Sequence, residues 1–256
     1  MNTLRALGRA LRACLHVLRA LWIIRTEYAR LTPAQTQLLL REWTRQMLRI
    51  LQVELVVQGA PPDRGPLLQL ANHMSWLDIL VMNAAHPTRF VSKADARHWP
   101  LLGTLVTAAG TLYIERENRR DAMRVVHRMT DRLREGDILS VFPEGTTGDG
   151  RSLLPFHANL LQAAISANAP VVPVALRFVD SRTGEPHDAP VYVGDTTLIG
   201  SIWTTLRASH LRAVVHYGEP QTFQGRDRRT WANDVREEVQ RLLGLPQADQ
   251  AEASPD

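Results

Sequence analysis

Leu67-Leu68-Gln69-Leu70-Ala71-Asn72-His73-Met74-Ser75-Trp76-Leu77-Asp78 is an apolar run that passes into polar residues and then into a helical pattern. The spacing predicts a buried strand over Leu67–Leu70 and a helix over Ser75–Ala85, because Ser75 and Asp78 stand in the S-x-x-D arrangement that caps a helix start. His73 then falls in the non-helical entry between them. That placement matters, since residues five apart on a regular helix point about 140° away from one another. Ahead of the helix, His73 can meet Asp78. An imidazole held at one nitrogen by a carboxylate has the other available as a base. A helix cap alone accounts for Ser75 and Asp78 equally well.

Outward from this stretch, strand-like runs recur at Val53–Val57, Arg89–Val91, Thr111–Ile114, Ile138–Phe142, Val171–Leu176, Val191–Val193 and Ala213–Tyr217. Helical patterns separate them at Asn118–Arg134, Pro155–Asn168 and Arg228–Leu243. Such alternation predicts an α/β domain over residues 53–245, built on a mixed, largely parallel sheet covered by helices. The uncharged stretch Trp99–Ile114 carries a Pro, two Gly and three Thr, which reads as a turn and a strand. The tail from 246 to 256 is polar and acidic and is expected to be disordered.

The run Ile138-Leu139-Ser140-Val141-Phe142-Pro143-Glu144-Gly145-Thr146-Thr147 is a strand that must stop at Pro143, followed by a polar turn. Gly145, Thr146 and Thr147 offer N–H groups and hydroxyls, the equipment for an oxyanion or a phosphate. An ordinary strand-to-helix turn uses the same residues.

Composition limits the alternatives. Among 256 residues, 45% are hydrophobic and 22% charged, so an ordered core is expected and global disorder is excluded. The single cysteine, Cys14, rules out an internal disulfide framework and fits a reducing compartment. Charge is unevenly divided: residues 1–50 hold nine arginines against Glu27 and Glu42, while the remainder holds 21 basic and 24 acidic residues. Within this basic segment Leu4, Leu7, Leu11, Leu15, Leu18 and Trp22 recur at helical spacing. A second helix follows from Thr32, with Thr32 as its cap and Pro33 at the first turn.

Arginines interrupt the first apolar pattern, so it falls short of the roughly 18 residues of a spanning helix, and no signal-peptide cleavage pattern follows. Residues 1–52 therefore read as an amphipathic two-helix hairpin. It either covers the main domain with its arginines solvated, or lies in a membrane interface with them on anionic headgroups. Nucleic acid is not an expected partner, because the basic arm lacks interleaved aromatics and zinc-finger spacing. The remaining histidines show no ligand clustering, and no metal is expected.

Taken together in order, the blocks resemble the glycerolipid acyltransferase family that includes bacterial 1-acylglycerol-3-phosphate acyltransferases. Its N-H-x-S-x-x-D motif is matched by Asn72, His73, Ser75 and Asp78, and its Gly followed six residues later by Arg is matched by Gly110 and Arg116. Its F-P-E-G-T-R motif is matched from Phe142 to Thr146, and its apolar run around Pro by Val171-Val172-Pro173-Val174. The resemblance implies transfer of a fatty acyl group from acyl-CoA or acyl carrier protein to a lysolipid hydroxyl, with no cofactor beyond that co-substrate. His73 would be the general base and Asp78 its orienter.

Other roles follow from the same likeness. Arg116 would be a cation for the acceptor, Glu144 a partner of Arg116 or of the headgroup, and Gly145 and Thr146 hydrogen-bond donors. Lys93 would serve a headgroup or donor phosphate. The hairpin resembles a membrane-docking element, implying peripheral attachment to phospholipid at the cytoplasmic face of the inner membrane. One position departs from the motif: Thr147 stands where the family's phosphate-associated arginine is usual. That variant is similar to members acylating lyso-ornithine lipid, which competes with 1-acyl-sn-glycerol-3-phosphate as the expected acceptor. A hydrolase using the same His–Asp pair, or a non-catalytic membrane-binding module, are the other readings.

Overall fold

The computed structural model describes residues 3–114 and 119–246. Seven strands form one sheet: β1 (Glu54–Gln58), β2 (Leu67–Ala71), β3 (Arg89–Lys93), β4 (Leu112–Ile114), β5 (Ile138–Val141), β6 (Val171–Asp180) and β7 (Leu211–Tyr217). Their spatial order is β1-β7-β6-β2-β5-β3-β4. Every neighbouring pair is parallel except β6 with β7. The expected mixed, largely parallel sheet is what the chain adopts.

The central strand β2 is buried along its whole length, and alternation sends its side chains to opposite layers. Leu67 and Ala71 join the core beneath α2 (Pro33–Leu51) and α3 (Leu77–Ala85). Leu68 and Leu70 join the core beneath α5 (Arg119–Arg134), α6 (Leu161–Ala167) and α8 (Arg228–Leu243). Helices thus cover both faces, as a sheet buried on two sides requires. α1 (Thr3–Thr26) and α2 form the expected N-terminal hairpin.

Several expectations change in detail. Trp99–Ile114, read as a turn and a strand, contains α4 (Leu102–Ala108) before β4. The helix α7 (Leu198–Arg207) was not foreseen, and its Thr197 cap accepts from the Gly200 amide at 3.0 Å. Val191–Val193 is a loop, not a strand; Tyr192 donates its amide to Met74 O at 2.9 Å instead of to a ladder. The helix expected from Pro155 begins only at Leu161, because the His157 amide is drawn back to Pro143 O at 2.9 Å. β6 runs past Leu176 to Asp180, extended by its antiparallel pairing with β7. The Thr32 cap forms as expected, and Gln35 returns a bond that completes a capping box. Residues 247–256 of the expected disordered tail lie outside the described residues.

The hairpin docks through an unusual face. On α1 the buried residues are Ala6, Arg9, His16 and Ala20, and His16 stacks on Trp43 of α2 with ring centres 5.0 Å apart. Arg9 reaches across to donate to Leu206 O at 2.9 Å and Ala208 O at 2.8 Å, the orphan carbonyls ending α7. Arg45 and Arg41 do the same for α3, donating to Ala84 O at 3.0 Å and Ala85 O at 3.1 Å. Three of the nine arginines in the arm are therefore structural. Leu4, Leu7, Leu11, Leu15, Leu18 and Trp22 all point outward, each more than half exposed. Among the described residues, no helix is long and apolar enough to cross a membrane.

Candidate active site

β2, β5, β3 and β4 are neighbours in the sheet and run the same way, so the residues after them emerge along one edge. In open α/β sheets this carboxyl edge is where ligands bind. Asn72 leaves β2 and spans to β6, its Oδ1 accepting the Leu176 amide at 2.7 Å and its Nδ2 donating to Leu176 O at 3.0 Å. The side chain replaces a rung of the ladder and fixes where His73 begins.

Regular helix starts at Leu77, two residues after Ser75. Ser75 Oγ nevertheless accepts the Leu77 amide at 3.1 Å, and Asp78 returns a bond to the Ser75 amide at 2.8 Å. The reciprocal cap and the His–Asp pair coexist through one atom. Asp78 Oδ2 accepts from His73 Nδ1 at 2.8 Å, from the Met74 amide at 2.7 Å and from the Ser75 amide at 2.8 Å. Asp78 is fully buried, and its Oδ1 has no hydrogen-bond partner among the described residues. An oxygen already taking two backbone N–H bonds acts as an acceptor. His73 Nδ1 is accordingly the donor, and its Nε2 carries the lone pair.

The ring itself is clamped. It stacks on Phe142 with centroids 3.9 Å apart and planes 7° apart, and Phe142 stacks in turn on Phe90. The His73 side chain keeps one-fifth of its surface exposed, while Asp78 keeps none. A buried carboxylate behind an accessible imidazole fixes the ring's orientation and tautomer.

The turn after β5 packs against this loop. Glu144 is buried, with Oε1 accepting the His73 amide at 2.9 Å and Oε2 accepting the Leu154 amide at 2.9 Å. Burial raises its carboxyl above the ordinary range, opposed by these two bonds. Both oxygens, expected on Arg116 or a headgroup, are engaged by backbone. The Gly145 amide, expected as a donor to substrate, closes the turn onto Phe142 O at 3.1 Å. Gly145 has φ +75°, which suits glycine. Thr146 is exposed beside it. Thr147 donates its hydroxyl to Tyr192 O, and the Gly148 amide donates to His73 O at 2.8 Å. Gly150, at φ +77°, has no room for a Cβ, which would run into Met74 Sδ. Lys93 ends β3, in register with Ile114 of β4. Arg116 lies outside the described residues.

Asn72, Phe142 and Tyr192 were not given roles from sequence. The first two sit inside recognised motifs, whereas Tyr192 carries no sequence signal, because only its backbone is used. Among the described residues, no cluster of three or more His, Cys, Asp or Glu side chains is placed to hold a metal.

A strand-end imidazole held by a buried carboxylate and walled by a glycine-bearing turn stands at the carboxyl edge of an α/β sheet. The family model described as Acyltransferase matches residues 52–177. A lyso-ornithine lipid O-acyltransferase of Pseudomonas aeruginosa is 37% identical over 84% of this chain and 81% of its own. A 1-acyl-sn-glycerol-3-phosphate acyltransferase of Neisseria meningitidis is 38% identical over 69% of each. The crystal structure of the 1-acyl-sn-glycerophosphate acyltransferase PlsC of Thermotoga maritima shares the fold, with TM-score 0.64 over 98% of this chain and 97% of that one, at 18% identity. The chain belongs to the lysolipid acyltransferase family and is an acyltransferase of lipid biosynthesis.

Proposed function

We propose that the protein transfers a fatty acyl group from a thioester, acyl-CoA or acyl carrier protein, to the free hydroxyl of a lysolipid at a membrane surface. The observation that carries the mechanism is the 2.8 Å bond from His73 Nδ1 to the buried Asp78, which leaves Nε2 as the base. His73 Nε2 takes the proton of the acceptor hydroxyl as its oxygen attacks the thioester carbonyl. The C–S bond then breaks, and the imidazolium returns the proton to the departing thiolate, giving an ester and a thiol. No acyl-enzyme is needed. Arg116 and Lys93 are assigned to anionic groups of acceptor and donor, and the Thr146 hydroxyl to hydrogen bonding at the same edge.

The acceptor we favour is lyso-ornithine lipid. Thr147 replaces the arginine associated with the acceptor's phosphate, and its hydroxyl is engaged by Tyr192 O. Relatives named for this acceptor align over 84% and 80% of the chain, in P. aeruginosa and Rhizobium meliloti. The second reading, 1-acyl-sn-glycerol-3-phosphate, is supported by the Neisseria relative. Thiol release from acyl-CoA and from acyl carrier protein, measured with each acceptor and with none, separates the readings. Acceptor-dependent release supports transfer. Release without acceptor marks a hydrolase, and no release with any donor marks a membrane-binding module.

Attachment to anionic phospholipid is supported by the outward leucine stripe of α1. At about 100° per residue, Arg5, Arg12 and Arg19 fall along one flank of that stripe. Cys14 is exposed on the same helix, between Leu11 and Leu15. An environment-sensitive fluorophore on Cys14 should shift to the blue with phosphatidylglycerol vesicles, less so at high salt. An unchanged spectrum contradicts insertion.

A further inference from the structure

The peptide groups on both sides of His73 are held by a single turn. Glu144 Oε1 takes the His73 amide, the Gly148 amide takes His73 O, and Glu144 Oε2 reaches on to the Leu154 amide. We infer that Glu144 is a positioning residue of acyl transfer, fixing the His73 imidazole through its backbone and touching neither acceptor nor donor. The inference rests on His73 being the base.

Imidazole direction has two determinants. Asp78 and Phe142 restrain the side-chain torsions, but those torsions are measured from a backbone that lies in a loop between β2 and α3. A loop peptide free to rotate would swing Nε2 even with the Asp78 bond intact. Glu144 removes that freedom with two short bonds of equal length to amides 81 residues apart in sequence. A buried carboxylate is costly, as its raised pKa attests, and an apolar residue would avoid the cost. Each of these two N–H groups donates to a separate oxygen, which a carboxylate supplies. Glutamine has the shape but presents an NH2 to one of them, and aspartate is a methylene too short.

The test uses the full chain with acyl-CoA and whichever lysolipid the wild type acylates. Glu144→Gln should lower kcat by about 10- to 100-fold, the loss that misplacement on the ångström scale produces. KM for the acceptor should stay within about twofold. The circular dichroism spectrum and Tm of Glu144→Gln should stay at the wild-type values, so that the fall in kcat is a loss per folded molecule. A loss of folded protein alone would lower both signals together with the rate. A raised KM with kcat preserved would make Glu144 a headgroup ligand and overturn the inference, and so would unchanged kinetics. Wild-type turnover in His73→Ala would instead sink the base assignment, whatever Glu144→Gln does. Should Glu144→Gln not fold, amide exchange in the wild type decides: the His73 and Leu154 amides should both be protected, and rapid exchange at His73 refutes the brace.

Discussion

α1 and α8 are both amphipathic, yet they are built inside out relative to each other. α8 buries Trp231, Val235, Val239 and Leu242 against the sheet and turns Arg228, Arg229 and Arg241 outward. α1 buries two alanines, an arginine and a histidine, and turns five leucines and a tryptophan outward. Periodicity reveals that a helix has two faces; it does not say which one meets water. The small inward residues of α1 allow close approach to α2 and α7, and Arg9 finds two carbonyls there. The leucine face is left exposed.

The sharpest way to break the comparison is to place the same charge on both outward and inward apolar faces. Val235→Asp on α8 should cost about 4 kcal/mol or more by burying an unpaired carboxylate, seen as loss of cooperative unfolding by circular dichroism. Leu11→Asp with Leu15→Asp on α1 should leave Tm nearly unchanged but weaken binding to phosphatidylglycerol vesicles by about a hundredfold or more, since each leucine is worth roughly 1.5–3 kcal/mol on leaving water. A large fall in Tm for the α1 pair would mean that its leucines are packed after all.

Smaller effects sharpen the inward face. Arg9→Ala orphans the carbonyls of Leu206 and Ala208 and should cost about 1–3 kcal/mol of unfolding free energy in a urea titration. Thr32→Ala removes the cap of α2 and should cost about 1 kcal/mol in the same titration. At the site, burial keeps the Glu144 carboxyl above its ordinary 4.5. Its stabilising contribution is therefore full below pH 4.5 and lost as pH rises through the elevated value. Over that interval Tm should fall less steeply in Glu144→Gln than in the wild type.

Much of this was legible in the residues. The strands announce themselves as β-branched or leucine runs ending in turn residues, and α8 runs over the residues that its pattern predicts, Arg228–Leu243. The juxtaposition of His73 and Asp78 followed from placing one before the helix and the other within its first turn. α4 and α7 were hidden because threonine and glycine carry little helical preference, and their formation depends on tertiary contact. Val191–Val193 has the residues of a strand, but it was captured as a loop by the backbone of Met74 and the hydroxyl of Thr147. Glu144 could not be placed from sequence, since its partners are amides and any residue supplies those. The roles of Arg9, Arg41 and Arg45 were masked for the same reason: a charge run looks alike whether it faces lipid, water or the end of another helix.

The central claim is that one accessible imidazole, oriented by a buried carboxylate, abstracts the acceptor's proton. Thiol release by His73→Ala, in the presence of a saturating lysolipid that the wild type acylates, tests it most directly. The account predicts a fall of roughly 10²–10⁴-fold in kcat with the circular dichroism spectrum and Tm retained. Turnover within about twofold of the wild type by a folded His73→Ala protein would contradict it.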